Sequence, residues 1–379
     1  MKIFVINPGS TSTKLAVYDG GDLRWKTTLM HMADDLVQFH HPIEQFDYRN
    51  AQMMAALEEA GIGADFDAVI ARGGLLQPTP GGVYVVDDGI CNDLVHSPNE
   101  HACNLGALLA RELAEQCGCP ALIADPEVVD ERMDVALITG IPEIRRCSIF
   151  HALNSKAVSR RYAESIGRRY EDMNLIIVHL GGGISVGAHD HGRVIDVNDA
   201  LNGNGPFSPE RAGTLPASQL VDLCFSGDYT YREIKRMING NGGLKAYLQT
   251  TDVADIAARA AKGEEPYRQV LDAMLYSVAT EVGARAVALR GRVDAIILTG
   301  GIAHSDYCVS KITEWVDFLG PVVVRAGEDE LGALADNALR YLRGQLQPTR
   351  YVPAAQRRGH TGRELCVGEG YSASGTMSL

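Results

Sequence analysis

The feature that most constrains the fold of this chain is a repeat within it. Shifted by 172 positions, from Ile3 to Leu175, the run Ile3–Ile6 falls on Leu175–Val178, Gly9 on Gly181 and Gly20 on Gly192. Each copy reads as a buried strand, a glycine-containing loop, a returning strand, a glycine turn and a third strand. Short apolar runs bounded by Gly, Asn and Asp are the sequence form of such a meander. A second pairing sets Asp67-Ala-Val-Ile-Ala-Arg-Gly73-Gly74 against Asp294-Ala-Ile-Ile-Leu-Thr-Gly300-Gly301. A Gly-rich α/β chain can produce one such match by chance, but two in the same order point to duplicated halves. The length of 379 residues also suits two domains better than one core.

The expected fold is therefore α/β, with two similar domains. The first takes residues 1–150 plus about 326–352, closed by a last helix over Glu330–Arg343. The second takes 151–325. The stretch 353–379 is Gly/Ser/Arg-rich without hydrophobic period, and reads as a flexible tail. Helices are expected over Asn50–Ala60, from Ser97 to Cys117, over His151–Glu164, in four stretches between 217 and 290, and over Ser305–Phe318. Residues 31–48 read as irregular.

Three loops stand where phosphate chemistry can occur. Asn7-Pro8-Gly9-Ser10-Thr11-Ser12-Thr13-Lys14 joins the first two strands, His179–Gly187 is its repeat, and Thr299–Ser305 lies between a strand and a helix. Glycine lets backbone N–H groups approach an anion, and Ser/Thr hydroxyls donate to it. The first loop does not match the GxxxxGK[ST] pattern, because a strand and not a helix follows Thr13. By itself it is no more than a hairpin turn. Paired with its repeat, it becomes one jaw of a clamp in which a triphosphate lies between two hairpins.

Composition excludes several classes. A net charge of −13 disfavours nonspecific binding to nucleic acid or anionic membranes. The longest apolar runs, such as Ala295–Leu298, are far too short to span a bilayer, and the N-terminus has no signal-peptide core. The 8 cysteines form no disulfide or zinc pattern, Cys117 and Cys119 being the one close pair, so a reducing cytoplasm is expected. His189 and His191 could pair on a metal, but a turn between strands explains them more simply.

These residues resemble the actin/sugar-kinase/Hsp70 superfamily and, within it, the acetate kinase family, most of all its butyrate branch. The resemblance rests on Asn7–Lys14, Ala71-Arg72-Gly-Gly-Leu75, Asp125-Pro126, Ser148–Asn154, His179–Gly183, Arg193–Asn198 and Gly205–Gly213. It spans roughly residues 2–351. It implies two actin-like, ribonuclease H-like domains with a nucleotide cleft between them. It also implies reversible, ATP-dependent and Mg²⁺-assisted phosphorylation of a short-chain fatty acid, butyrate foremost, to an acyl phosphate. A homodimer or higher homo-oligomer follows from the same resemblance.

Residue by residue, the resemblance implies catalytic roles for Arg72, Asp125, His151 and Arg211. Guanidinium groups suit a step that joins two anions, since they grip oxyanions in a fork and remain charged. His151 would bond the transferring phosphoryl group, and Asp125 would orient Mg²⁺ through water. A carboxylate nucleophile is already deprotonated and needs no general base. Nucleotide contacts are expected from Asn7, Ser10, Ser12, Lys14, His179, Gly181, Gly182, Gly183, Gly300, Gly301 and Ile302. Asn7 is also a metal candidate. The family's metal-linked Glu, expected near Ala303-His304, is missing here, which leaves Glu328, Asp329 or Glu330 as substitutes. Gly182 likewise stands where acetate kinases carry Asn. Three other readings remain open at this level: a kinase for acetate, propionate or a branched acid, a non-catalytic nucleotide-binding member of the superfamily, and a sugar kinase.

Overall fold

The computed structural model describes residues 1–356. The chain forms two compact units, Met1–Val128 with the described residues from Leu331 onward, and Val129–Glu330.

In the first unit, β1 (Lys2–Pro8), β2 (Ser12–Asp19) and β3 (Asp22–Met30) form the expected meander, with β4 (Ala68–Arg72), β5 (Val83–Val85) and β6 (Ala121–Ala124) beyond it. The sheet order is β3-β2-β1-β4-β6-β5. β1, β4 and β6 run parallel, and β5 closes the edge antiparallel to β6. The near-continuous apolar runs of β1 and β4 are explained by burial on both faces, as a parallel sheet requires. The helices Phe46–Glu59 and Leu105–Cys117 bury Met53, Leu57, Leu109 and Leu113 in the core with Phe4, Ile6 and Val69.

In the second unit the strands are β7 (Asn174–Leu180), β8 (Ile184–Asp190), β9 (Arg193–Val197), β10 (Ala295–Gly300) and β11 (Val322–Ala326). Their order is β11-β10-β7-β8-β9. Read from the meander outward, this is the order of the first unit without its extra edge strand. Both meanders also slip register between their second and third strands, at Val17/Tyr18 and at Ala188/His189. The internal repeat is thus a repeat of topology. The long helix Tyr267–Ala288 packs Leu271, Met274, Val278 and Val282 into the second core.

The structure departs from the sequence reading at several boundaries. Residues 129–150 fold with the second unit: Val129 and Phe150 pack with Val194 and Val197, and Ser148 Oγ donates to the Val129 carbonyl at 3.0 Å. The start of the 353–379 stretch is docked, since Tyr351 is 4% exposed and both its hydroxyl (2.7 Å) and the Ala354 N–H (2.8 Å) donate to Asp93. Residues 357–379 lie outside the described residues. The helix expected from Ser97 begins at Leu105. Asn104 accepts the Leu75 N–H at 2.8 Å and donates to the Asn99 carbonyl at 3.0 Å, which holds the segment before Leu105, a loop followed by the 3₁₀ turn Ala102–Asn104, against the end of β4. The region 31–48 contains the short helix Ala33–Leu36 and the start of Phe46–Glu59. Helices at Asp88–Val95 and Gly243–Leu248 were not expected.

Candidate active site

In the first unit the ladder aligns Ile6 with Ala71 and Arg72 with Ala124. Asn7, Arg72 and Asp125 therefore stand side by side at the carboxyl ends of β1, β4 and β6, with neighbouring strands about 4.8 Å apart. That edge is where open α/β sheets bind ligands. Asn7 and Asp125 are buried. Asp125 adopts a left-handed backbone, φ 39°, which Asp tolerates better than most residues. It is locked there by two bonds with Gly82: its N–H donates to the Gly82 carbonyl at 2.9 Å, and its Oδ1 accepts the Gly82 N–H at 2.8 Å.

Arg72 Nε donates to Glu127 Oε1, while Glu127 Oε2 is buried with no hydrogen-bond partner among the described residues. A neighbouring imidazole also joins this edge. His101 Nδ1 accepts the Cys103 N–H at 3.1 Å, which puts the neutral ring's proton on Nε2, 3.2 Å from Ser10 Oγ. Burial lowers the His101 pKa, Glu127 opposes that, and Arg72 and Arg49 reinforce it. Ser10 is exposed at the loop tip, Ser12 is half-buried, and Lys14 is exposed opposite Asn7 in the β1–β2 ladder.

In the second unit, His179 sits at the end of β7, the position that the repeat pairs with Asn7. His151, at the N-terminus of the helix Ala152–Ser165, stacks on His179 with ring centroids 3.7 Å apart and planes 9° from parallel. Ser185 Oγ lies 3.1 Å from His151 Nδ1. Asn154 Nδ2 donates to His179 Nδ1 at 2.9 Å, which turns Nε2 toward Glu328, 3.6 Å away. The loop that follows is a tight turn, with the Gly181 N–H donating to the Gly183 carbonyl at 3.2 Å and Ser208 Oγ to the Gly182 carbonyl at 2.6 Å.

Arg211 Nη1 donates to the Ala200 carbonyl at 2.6 Å, and its Nε is buried without a hydrogen-bond partner among the described residues. Burial lowers the Arg211 pKa, against the pull of Glu210 and Asp199. A Cβ at Gly183 would meet the Arg211 guanidinium, so a side chain there would displace Arg211 from its place. Gly300 exchanges backbone hydrogen bonds with Gly327 at 3.0 and 2.9 Å, and Gly301 opens a 3₁₀ turn. Gly181, Gly182, Gly301 and Ile302 line a cavity of about 700 Å³, whose far wall is the alanine-rich face of the helix Val253–Ala261. Gly183 and Gly300 are not among its lining residues.

The structure thus brings Asn7, Arg72 and Asp125 into one row, and His151, His179, Arg211 and the glycine loops into one unit. Sequence reasoning missed Glu127 and His101, whose contacts are tertiary with no motif to signal them. Asn154 and Ser208 lie within the marked stretches Ser148–Asn154 and Gly205–Gly213 but were not singled out. For Mg²⁺, no group of three or more His, Cys, Asp or Glu side chains among the described residues could hold an ion. Mg²⁺ usually takes one or two carboxylates and completes its shell with water and substrate phosphates. Asn7 and buried Asp125 fit an ion that arrives with a nucleotide. Glu328 is 44% exposed and faces an imidazole.

Known proteins resemble this chain over most of its length. Residues 140–329 match the Acetokinase family. The chain is 64% identical to a probable butyrate kinase of Phocaeicola vulgatus, over 93% of this chain and 100% of that protein. It is 47% identical to butyrate kinase 1 of Clostridium acetobutylicum, over 92% and 99% of the two chains. Among solved structures, Porphyromonas gingivalis acetate kinase superposes with a TM-score of 0.73 at 18% identity, covering 90% of this chain and 99% of that one. The fold is accordingly the duplicated actin-like one.

Proposed function

The chain belongs to the acetokinase family, and on that footing we propose that it phosphorylates a short-chain fatty acid, butyrate foremost, with ATP. The observation that carries the reading is similarity to the two butyrate kinases over 92–93% of this chain. In the reaction a carboxylate oxygen attacks the γ-phosphorus and the bond to the bridging oxygen of ADP breaks. Acyl phosphate and ADP form reversibly, and no proton needs to move. The barrier is the repulsion of two anions and the charge that builds on the equatorial oxygens.

Arg72 and Arg211 answer that charge. Arg72 is oriented by Glu127 and grips the acid, and Arg211 neutralises the transferring group. His151 donates a hydrogen bond to the phosphoryl oxygens, its ring held by the stack on His179. The loops around Gly181–Gly183 and Gly300–Ile302 receive the phosphates, and the alanine-lined cavity receives the nucleoside. Mg²⁺, held by Asn7 and, through water, by Asp125, would supply charge neutralisation to the nucleotide phosphates. We place the enzyme in the cytoplasm as a homodimer or higher homo-oligomer. No described helix is long and apolar enough to cross a membrane.

The test is hydroxylamine trapping of acyl phosphate from ATP, Mg²⁺ and each C2–C5 acid. Product with butyrate is expected, and no product with any acid would end the reading. Relative kcat/KM ranks the acids, since one methylene shifts discrimination only by about 10- to 200-fold.

A further inference from the structure

One buried charge among the described residues has been given no role above. Arg49, on the helix Phe46–Glu59, is 1% exposed and is among the largest fully buried side chains. Its guanidinium reaches across to the loop between β1 and β2. Nη1 donates to the Gly9 carbonyl at 2.9 Å, to Thr13 Oγ1 at 3.0 Å and, at 3.5 Å, to the Ser12 carbonyl. Nη2 donates to the Ser10 carbonyl at 3.1 Å, and Nε to Gln45 Oε1 at 3.0 Å. None of these acceptors is a carboxylate. Burial lowers the pKa of Arg49 to about 10, which still leaves it charged at neutral pH.

Carbonyl orientation fixes amide orientation. The loop's peptides are trans, so each C=O points opposite the N–H in its own plane. With the Gly9 and Ser10 carbonyls turned onto Arg49, the Ser10 and Thr11 N–H groups point away from it. Both residues are exposed, so the two amides face outward beside the Ser10 hydroxyl, whose oxygen accepts from His101 Nε2–H. Successive outward amides over a buried positive charge make an anion nest.

We propose that Arg49 is a positioning residue that presents the Ser10 and Thr11 amides to the transferring phosphoryl group. It touches neither substrate, and it acts through the loop it grips. The inference rests on the kinase reading for the identity of its anion, though not for the existence of the nest.

The experiment uses the full chain and the variants Arg49→Lys and Gln45→Met. Lysine keeps the charge but cannot form the fork that holds carbonyls at separate points. In Arg49→Lys, kcat is expected to fall about tenfold or more, while the ADP dissociation constant moves less than about twofold, because the nucleoside cavity belongs to the other unit. Gln45→Met removes only the Nε partner, and a kcat loss of about threefold is expected. It keeps the test alive if Arg49→Lys does not fold. In the ¹⁵N NMR spectrum, inorganic phosphate is expected to shift the Ser10 and Thr11 amides of the wild type and not those of Arg49→Lys. A wild-type kcat in a folded Arg49→Lys, or in Gln45→Met where Arg49→Lys does not fold, would overturn the proposal. So would amides indifferent to phosphate in the wild type. If the amides respond as expected but no acid is phosphorylated, the kinase reading fails and the positioning role stands.

Discussion

The two units share one sheet order and one row of strand ends, yet they fill that row with opposite chemistry. In the first unit the ends of β1, β4 and β6 carry Asn7, Arg72 and Asp125, with Glu127 just beyond. In the second, β7 and β10 end in His179 and Thr299-Gly300. The loop after the first strand shows the same division. Arg49 grips its carbonyls in one unit, and the neutral Ser208 hydroxyl holds the Gly182 carbonyl in the other. Duplication supplied the geometry twice. Divergence then put charged side chains at the strand ends of one copy, and an imidazole, glycine loops and an open cavity at those of the other.

The largest expected effect tests whether the two arginines are equivalent despite their different settings. Arg72→Ala and Arg211→Ala should each lower kcat by about 10²-fold or more with the fold intact by circular dichroism. Near-wild-type turnover in either would break the symmetry of roles. Next comes the demand for open backbone in the second unit. Gly300 has φ 87°, and a Cβ there would run into the Leu180 carbonyl, whereas one at Gly301 meets nothing within 4 Å. Gly300→Ala should cost roughly 2–4 kcal/mol in urea unfolding, and Gly301→Ala within about 0.5 kcal/mol. Equal costs would remove the distinction between the two glycines.

The smallest effect concerns acid. Each unit buries an imidazole that resists protonation. His31 lies 2.8 Å from Thr13 Oγ1, and burial, helped by Arg49 and opposed by Gln52 and Asp35, lowers its pKa from 6.5 to about 4. His189, beside the Tyr170 hydroxyl at 2.7 Å, is pushed well below its ordinary value by burial, then by Lys156 and Arg160. A depressed folded pKa means that the unfolded chain takes up the proton first. Stability is complete above pH 6.5 and is lost as pH falls from there toward 4. His31→Gln should flatten the fall in urea midpoint between pH 7 and pH 5. An unchanged slope would show that His31 does not contribute.

The sheet of each unit was legible because its strands are apolar runs punctuated by glycine, and because the repeat set the two against each other. The helix Asp88–Val95 was not. Its start depends on Asp87 accepting the Ile90 N–H at 2.9 Å, in a stretch where Gly89 argues against a helix. Gly243–Leu248 opens on two glycines and ends at a left-handed Gln249, so local propensity hides it. Arg72 and Arg211 could be singled out from their motifs. Arg49 could not, because its partners at Gly9 and Ser10 lie 40 and 39 residues away. Glu127 was passed over although Asp125-Pro126 was marked, since only the fold brings it to a residue 55 positions earlier.

The first unit is interrupted: its closing helix Glu330–Leu342 and buried Tyr351 come only after the whole of the second unit. On the ribosome, then, the first 128 residues emerge without the segment that completes them. They must wait while about 200 further residues, themselves contiguous and able to fold as a unit, are translated. The half of the molecule that is made first is the half that is finished last.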